Sequence, residues 1–130
     1  MKRAVQGERG PAPSGAYSAA VVAGDYVFVA GQGPIDPETG ATRGKNVTDQ
    51  TRLTLANLEA HLSAAGATLA DVVRVNVHLA SIADFDEFNA VYADVFAEEE
   101  PRPARTTVGS ELAGILVEID CIAYVPRDRG

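Results

Sequence analysis

Arg105 and Glu118 are the two residues of this sequence whose types and setting could do chemistry together. Arg105 lies among prolines, threonines and a valine, which is typical of a strand, and Glu118 lies in the apolar segment that follows. A guanidinium group is permanently charged and presents a rigid fork that matches a carboxylate. A glutamate at the same site could take a proton from water. If both face one site, the pair predicts chemistry on a small organic acid.

The residues around this pair leave alternatives open. The hydroxyls of Thr106 and Thr107 can donate hydrogen bonds to the oxygens of an anion. Arg105 could instead be one half of a surface ion pair. Glu118 and Asp120 are about 7 Å apart on one strand face, a separation that a glycosidase acid and base could use. The absence of Trp argues against a sugar cleft with stacking aromatic rings.

The other candidate reactive groups are predicted to be structural. Neither His61 nor His78 has a second ligand at metal spacing, so no metal site is predicted. Cys121 is the only cysteine, which excludes an intrachain disulfide and agrees with a reducing compartment, and we expect it to be buried. The segment 31–33, Gly-Gln-Gly, lacks the lysine and helix start of a phosphate loop. It is expected to be a turn or the backbone lining of a small pocket.

Length and composition restrict the class of protein. A chain of 130 residues predicts one domain over residues 1–130. The net charge of -7, with 11 scattered basic residues, argues against nucleic-acid binding. No apolar run of membrane-spanning length is present, and the N-terminus lacks the apolar segment of a secretory signal. A cytoplasmic protein is therefore expected.

Hydrophobic periodicity predicts an α+β fold of order ββαβαββ after an irregular lead-in over residues 1–15. A turn at Gly24-Asp25 joins the first two strands, and Gly66 is expected to end the first helix in a left-handed conformation. The predicted strands and helices are, in chain order, strands 16–23 and 26–30, helix 48–65, strand 72–79, a helix from Ser81 to about 97, and strands 105–108 and 115–125.

The apolar residues of these elements predict a sheet whose second face must also be covered. Two helices can cover only one face of the sheet. The third strand alternates, with Val73, Val75, Val77 and Leu79 on one face. Residues 26–30 have no polar face, and Ile122 and Tyr124 share the second face with Glu118. Soluble oligomers are mostly symmetric homo-oligomers, so a second copy of the chain is the simplest cover.

Five segments, in the same order, closely resemble the RidA/YjgF family, also called the endoribonuclease L-PSP family. The resemblance covers residues 11–125. It rests on Gly15-Ala16-Tyr17, on Ala30-Gly31-Gln32 with Pro34 and Thr39-Gly40, on Asn89-Ala90-Val91-Tyr92, on Pro103-Ala104-Arg105-Thr106, and on residues 117–123. Many members have Ser-Cys directly after the arginine, where this chain has Thr106-Thr107.

The resemblance implies a chorismate-mutase-like fold with two helices on one face, assembled as a homotrimer with clefts between subunits. It implies hydrolysis of 2-aminoacrylate, 2-iminopropionate and similar enamines or imines to a 2-keto acid and ammonia, without a cofactor. Arg105 then resembles the residue that binds the substrate carboxylate, and Glu118 the residue that positions water. Tyr17 resembles a hydroxyl of the pocket, Asn89 a polar group of the cleft, and Gly31 a backbone contact.

Two other functions fit the same cleft. A regulatory protein could bind a small keto acid or related carboxylate there without turning it over. A ribonuclease activity, as in the family's second name, is disfavoured by the acidic charge balance and the absence of a basic stripe. The partners expected are a small 2-imino or 2-keto acid and further copies of this chain, with no nucleic acid and no membrane.

Overall fold

A computed structural model describes residues 1–127, which form one six-stranded sheet and two α-helices. The sheet order is β1-β2-β3-β6-β4-β5, and all neighbouring strands are antiparallel except β4 and β5, which are parallel. The elements are β1 (Lys2–Val5), β2 (Ala20–Ala23), β3 (Tyr26–Gln32), α1 (Val47–Ala64), β4 (Val72–Leu79), α2 (Phe85–Val95), β5 (Ala104–Gly109) and β6 (Val117–Tyr124).

The predicted α+β class is confirmed, but the lead-in is not irregular throughout. Lys2–Val5 forms an edge strand that pairs with β2, from Lys2 opposite Ala23 to Val5 opposite Ala20. An edge strand is held by backbone hydrogen bonds, so it needs no alternating apolar pattern, and only Val5 packs against the core. The order is therefore βββαβαββ. The second strand begins at Ala20 rather than at residue 16, since a tight turn over Gly15 to Tyr17 precedes it.

Helix α1 supplies most of the cover of the sheet. Asn46 caps its N-terminus, where the side-chain Oδ1 accepts a hydrogen bond of 2.9 Å from the backbone N–H of Asp49. Gly66 follows the last turn with φ of 80°, as predicted for a left-handed residue. The apolar stripe of the helix is fully buried against the sheet, as its spacing predicted, through Leu55, Leu58 and Leu62.

Strand β4 departs from the predicted alternation at its first residues. Val72 is buried and Val73 is 45% exposed, whereas Val73 was predicted to share one face with Val75, Val77 and Leu79. The cause is an irregularity in the pairing with β6 between Val72 and Arg74, which shifts the alternation by one residue. Beyond it the pattern holds, and Val75, Val77 and Leu79 are buried as predicted.

The two faces of the sheet differ sharply in cover. Both helices pack on the face formed by the buried residues of β6, namely Val117, Ile119, Cys121 and Ala123. The opposite face, here called the open face, carries Tyr26, Phe28 and Tyr124, which are 45%, 43% and 41% exposed. A single chain thus leaves this aromatic face uncovered, and its cover by a second copy remains a prediction. No helix in residues 1–127 is long and apolar enough to cross a membrane.

His61 holds the N-terminal segment against α1. Its side chain is fully buried, and its Nδ1 accepts a hydrogen bond of 3.0 Å from the backbone N–H of Gly7. A Cβ atom at Gly10 would lie 2.6 Å from the ring, so the segment packs directly on the imidazole. Burial lowers the pKa of His61 below its ordinary value of 6.5, and the backbone of Pro11 offsets part of this decrease. His61 is therefore structural, as predicted, and it works as a neutral acceptor.

We expect the free energy of unfolding to fall as the pH drops from about 7 to about 5.5, because the unfolded chain then binds a proton that buried His61 resists. The variant His61→Leu should lose most of this dependence, measured by chemical denaturation at both pH values. The matched control is His78→Gln, which removes the other histidine. An unchanged pH dependence in His61→Leu would contradict the assignment.

Candidate functional site

Arg105 lies on the helix-covered side of the sheet, at the edge strand β5. The parallel pairing sets Arg105 beside Val75 of β4, which is fully buried under the helices. Its side chain therefore extends toward α2, where Nη1 donates a hydrogen bond of 2.8 Å to Oδ1 of Asn89. The structure brings together these two predicted site residues, and the amide fixes one side of the guanidinium fork.

Three aromatic rings of α2 surround the guanidinium. Its central carbon lies 4.5 Å from the ring centre of Tyr92, 5.6 Å from that of Phe85 and 5.7 Å from that of Phe88. Rings at these distances attract a cation and orient it. The helical spacing of these residues indicates only a place in the apolar stripe. Their sharing one helix with Asn89 was the available signal for a second role.

The cation of Arg105 is not neutralised by a carboxylate. Among residues 1–127 the ion pairs are Arg43 with Asp36 and Arg52 with Asp94, both at the surface. Arg105 is half-buried and borders an open cavity of about 330 Å³ that Asn89, Tyr92, Ala93, Arg102 and Pro103 also line. The surface ion pair considered for Arg105 is thus absent from the described part of the chain. A positively charged cavity can instead accept an anion from solution.

Tyr92 completes this cavity as a neutral group. Burial raises the pKa of its hydroxyl to about 12, although the nearby charge of Arg105 opposes the shift. The hydroxyl is buried, and it makes no hydrogen bond within residues 1–127. Near neutral pH it therefore carries no charge and leaves Arg105 unneutralised.

The two threonines after Arg105 lie on opposite faces. Thr107 pairs with the buried Val77, so its hydroxyl lies on the same side as Arg105, buried and without a hydrogen-bond partner in the described chain. Thr106 lies on the open face, where its hydroxyl accepts a hydrogen bond from Nη2 of Arg74. Of the two hydroxyls considered as anion donors, only that of Thr107 shares a side with Arg105.

Glu118 lies on the open face, in a groove of about 510 Å³ that Tyr17 and Gly31 also line. The Tyr17 hydroxyl accepts a hydrogen bond of 3.2 Å from the backbone N–H of Ser14, which holds the ring at the groove. Gly31 is the close neighbour of the carboxylate, since a Cβ atom there would lie 2.9 Å from Cδ and Oε2 of Glu118. Three predicted site residues therefore meet at this groove.

The variant Gly31→Ala should reduce activity at this groove more than it reduces stability. The added methyl group would push the Glu118 carboxylate aside, and a flexible carboxylate can move at a cost of about 1 kcal/mol or less in unfolding free energy. We expect kcat/KM for the reaction proposed below to fall about tenfold. Gly109→Ala is the control, because its nearest neighbour would lie 3.8 Å away. Equal activity in both variants would contradict a role for the Glu118 position.

Within one chain the two halves of the predicted site are separate. Arg105 shares the helix-covered side with Val75 and Cys121, which occupy one register position across β5, β4 and β6. Glu118 lies three residues from Cys121 on β6, and successive side chains of a strand alternate between faces. The guanidinium and the carboxylate are therefore on opposite faces of the sheet, so one chain alone cannot apply both to one small molecule.

The remaining candidates do not form a catalytic group. Asp120 is on the face of Glu118, as predicted, but its Oδ1 accepts a hydrogen bond of 2.9 Å from Asn76. Cys121 is buried, and burial, with a smaller contribution from Asp120, raises its thiol pKa to about 12, which disfavours a nucleophile. His78 contacts the Ser110 hydroxyl through Nδ1 at 2.7 Å. No cluster of three potential metal ligands occurs in residues 1–127.

Comparisons with known proteins show which family this chain resembles. The model of the family described as endoribonuclease L-PSP matches residues 7–125. A RutC family protein of Pyrococcus horikoshii is 44% identical over 124 residues, covering 95% of this chain and 98% of that protein. Reactive Intermediate Deaminase A, chloroplastic, of Arabidopsis thaliana is 40% identical over 124 residues, covering 94% of this chain and 65% of that protein.

A solved structure extends the agreement to the fold. The crystal structure of Escherichia coli TdcF with bound serine superimposes with a TM-score of 0.87 at 33% sequence identity, covering 94% of this chain and 98% of that one. The similarity in sequence and in fold thus extends over nearly the whole length of this chain. The chain belongs to the RidA/YjgF family, whose sequence model is described as endoribonuclease L-PSP.

Proposed function

We propose that this protein hydrolyses reactive 2-imino acids, and their 2-enamine tautomers, to 2-keto acids and ammonia. The substrates are of the 2-aminoacrylate and 2-iminopropionate type. Arg105 binds the substrate carboxylate, and Glu118 of another copy of the chain positions the attacking water. The observation that carries the proposal is the half-buried Arg105, held by Asn89 and three aromatic rings yet with no carboxylate partner in the described chain.

The names and ligand of relatives support this choice of reaction. The Arabidopsis relative is named a reactive intermediate deaminase, and the TdcF structure contains serine, a small molecule that carries a carboxylate. A guanidinium fork recognises such a carboxylate by two parallel hydrogen bonds. Thr107, whose hydroxyl has no partner within residues 1–127, is proposed as a further donor to this anion.

The proposed assembly is a homotrimer in which each site lies between two copies. The opposite positions of Arg105 and Glu118 require two chains for one complete site. The uncovered aromatic surface formed by Tyr26, Phe28 and Tyr124 supplies apolar area for the contact. A closed ring of three copies joins the Arg105 side of one chain to the Glu118 side of the next.

The proposed reaction needs only proton transfers and one addition of water. Once Arg105 fixes the carboxylate, Glu118 takes a proton from a water molecule, the water oxygen adds to carbon 2 of the imine, and Glu118 passes the proton to the nitrogen. Glu118 then moves the hydroxyl proton to the nitrogen in the same way, the carbon–nitrogen bond breaks, ammonia leaves, and the water oxygen becomes the keto oxygen. Tyr17 and the backbone of Gly31 line the groove in which the water lies. The imine is already electrophilic, so no cofactor is assigned.

The test generates 2-aminoacrylate with a pyridoxal-phosphate enzyme and follows the release of pyruvate. Wild-type protein at catalytic concentration should accelerate pyruvate release well above the spontaneous rate. Binding of pyruvate without any acceleration would overturn the proposal and favour the regulatory alternative.

A further inference from the structure

Two arginines line the cavity beside α2. Arg102 is exposed at the cavity mouth, and its Nε donates a hydrogen bond of 3.3 Å to the backbone carbonyl of Phe96, just beyond the helix. This bond holds the side chain beside the cavity and leaves both terminal amino groups for a ligand. Arg105 approaches the same cavity from β5. No motif in the sequence singles out Arg102.

Both cations border one small cavity. Tyr92, Arg102 and Arg105 line the same cavity, and the guanidinium carbon of Arg105 lies 4.5 Å from the centre of the Tyr92 ring. Only two residues separate the two arginines, so their Cα atoms are at most about 10 Å apart. Side chains of this length can converge from that spacing on one small molecule.

No acidic residue neutralises the pair within residues 1–127. The residues lining the cavity include no aspartate or glutamate, and neither arginine takes part in the ion pairs formed there. The acidic segment 98–100 precedes Arg102 in sequence but lines no part of the cavity. In a chain with a net charge of -7, two adjacent unneutralised cations form a local site for a doubly charged anion.

We propose that Arg102 makes this cleft selective for 2-imino acids that carry a second carboxylate. The inference rests on the proposed function, because Arg105 must take the carboxylate next to the imine for Arg102 to take the other. A cavity of about 330 Å³ is at the small end of ligand sites and suits a dicarboxylate of about four or five carbons. Arg102 is a specificity-determining residue in this scheme, with no role in the addition of water.

Binding is the first test, since it does not depend on turnover. The probes are pyruvate, with one carboxylate, and 2-oxoglutarate, with two, each titrated by calorimetry into the full protein. For Arg102→Gln we expect the ratio of the two affinities to shift about two- to fivefold toward pyruvate, as expected when one exposed charged group is removed. Arg3→Gln is the control, because it removes the same charge from β1 at the opposite edge of the sheet. Its ratio should match that of wild type.

An unchanged ratio in Arg102→Gln, or failure of wild type to prefer 2-oxoglutarate, would overturn the inference. The second measurement compares hydrolysis of the imines that an amino acid oxidase forms from alanine and from glutamate. Hydrolysis of both without an Arg102-dependent preference would overturn the selectivity and leave the proposed function standing. An Arg102-dependent binding ratio with no hydrolysis of either imine would overturn the proposed function and support the two-carboxylate cleft.

Discussion

Replacement of Arg105 by alanine is expected to lower kcat/KM for 2-imino acid hydrolysis by about a thousandfold, the effect of removing two charge-assisted hydrogen bonds of about 2 kcal/mol each. The effect should be large because Asn89 and Tyr92 orient the fork of Arg105, whereas Arg102 is exposed at the cavity mouth. Stability should change little, since the interactions of this cation with the rings, at an edge strand, are worth about 1 kcal/mol.

The variant Arg105→Lys distinguishes the effect of the positive charge from the effect of the hydrogen-bond geometry. A lysine keeps the positive charge beside Tyr92 but cannot donate two parallel hydrogen bonds to a carboxylate. We expect its kcat/KM to lie between those of wild type and Arg105→Ala, measured in the same pyruvate-release assay. Thermal denaturation of both variants controls for folding. Wild-type activity in Arg105→Ala would exclude this residue as the carboxylate site.

Replacement of Glu118 by glutamine is expected to have the second large effect. The value of kcat should decrease by about a hundred- to ten-thousandfold, because a general base is removed. Affinity for pyruvate should be nearly kept, since the carboxylate clamp is on the other side of the site. Asp120→Asn is the matched control, because it makes the same chemical change on the same strand face, at a residue held by Asn76. Equal decreases in the two variants would show that charge on this face, rather than a base at Glu118, supports activity.

The helices and most of the sheet could be predicted because their apolar positions repeat with a clear period. Leu55, Leu58 and Leu62 of α1 and the alternating residues of β6 can bury their apolar atoms in only one orientation. Edge strand β1 and the irregularity at Val73 could not be predicted, because backbone pairing, and not side-chain pattern, produces both.

The sequence also could not predict that one chain separates the site into two halves. Residues 104–107 are small, polar or charged on both faces of β5, so no apolar pattern assigns a side to Arg105. The parallel register with β4 assigns it, by setting Arg105 beside Val75. The close approach of Gly31 to Glu118 depends in turn on the pairing of β3 with β6, which brings distant segments together. The sequence could name these residues but could not state which pairs one chain assembles.

Complementation between inactive variants tests the composite site most directly. Arg105→Ala and Glu118→Gln chains with different affinity tags are co-expressed and purified through both tags, which retains only mixed oligomers. Every mixed trimer holds one junction between an intact Arg105 and an intact Glu118, so we expect about a third of wild-type activity per trimer, while each variant alone is nearly inactive. Mixed oligomers as inactive as the single variants, or no protein retained on both tags, would contradict a site shared between chains.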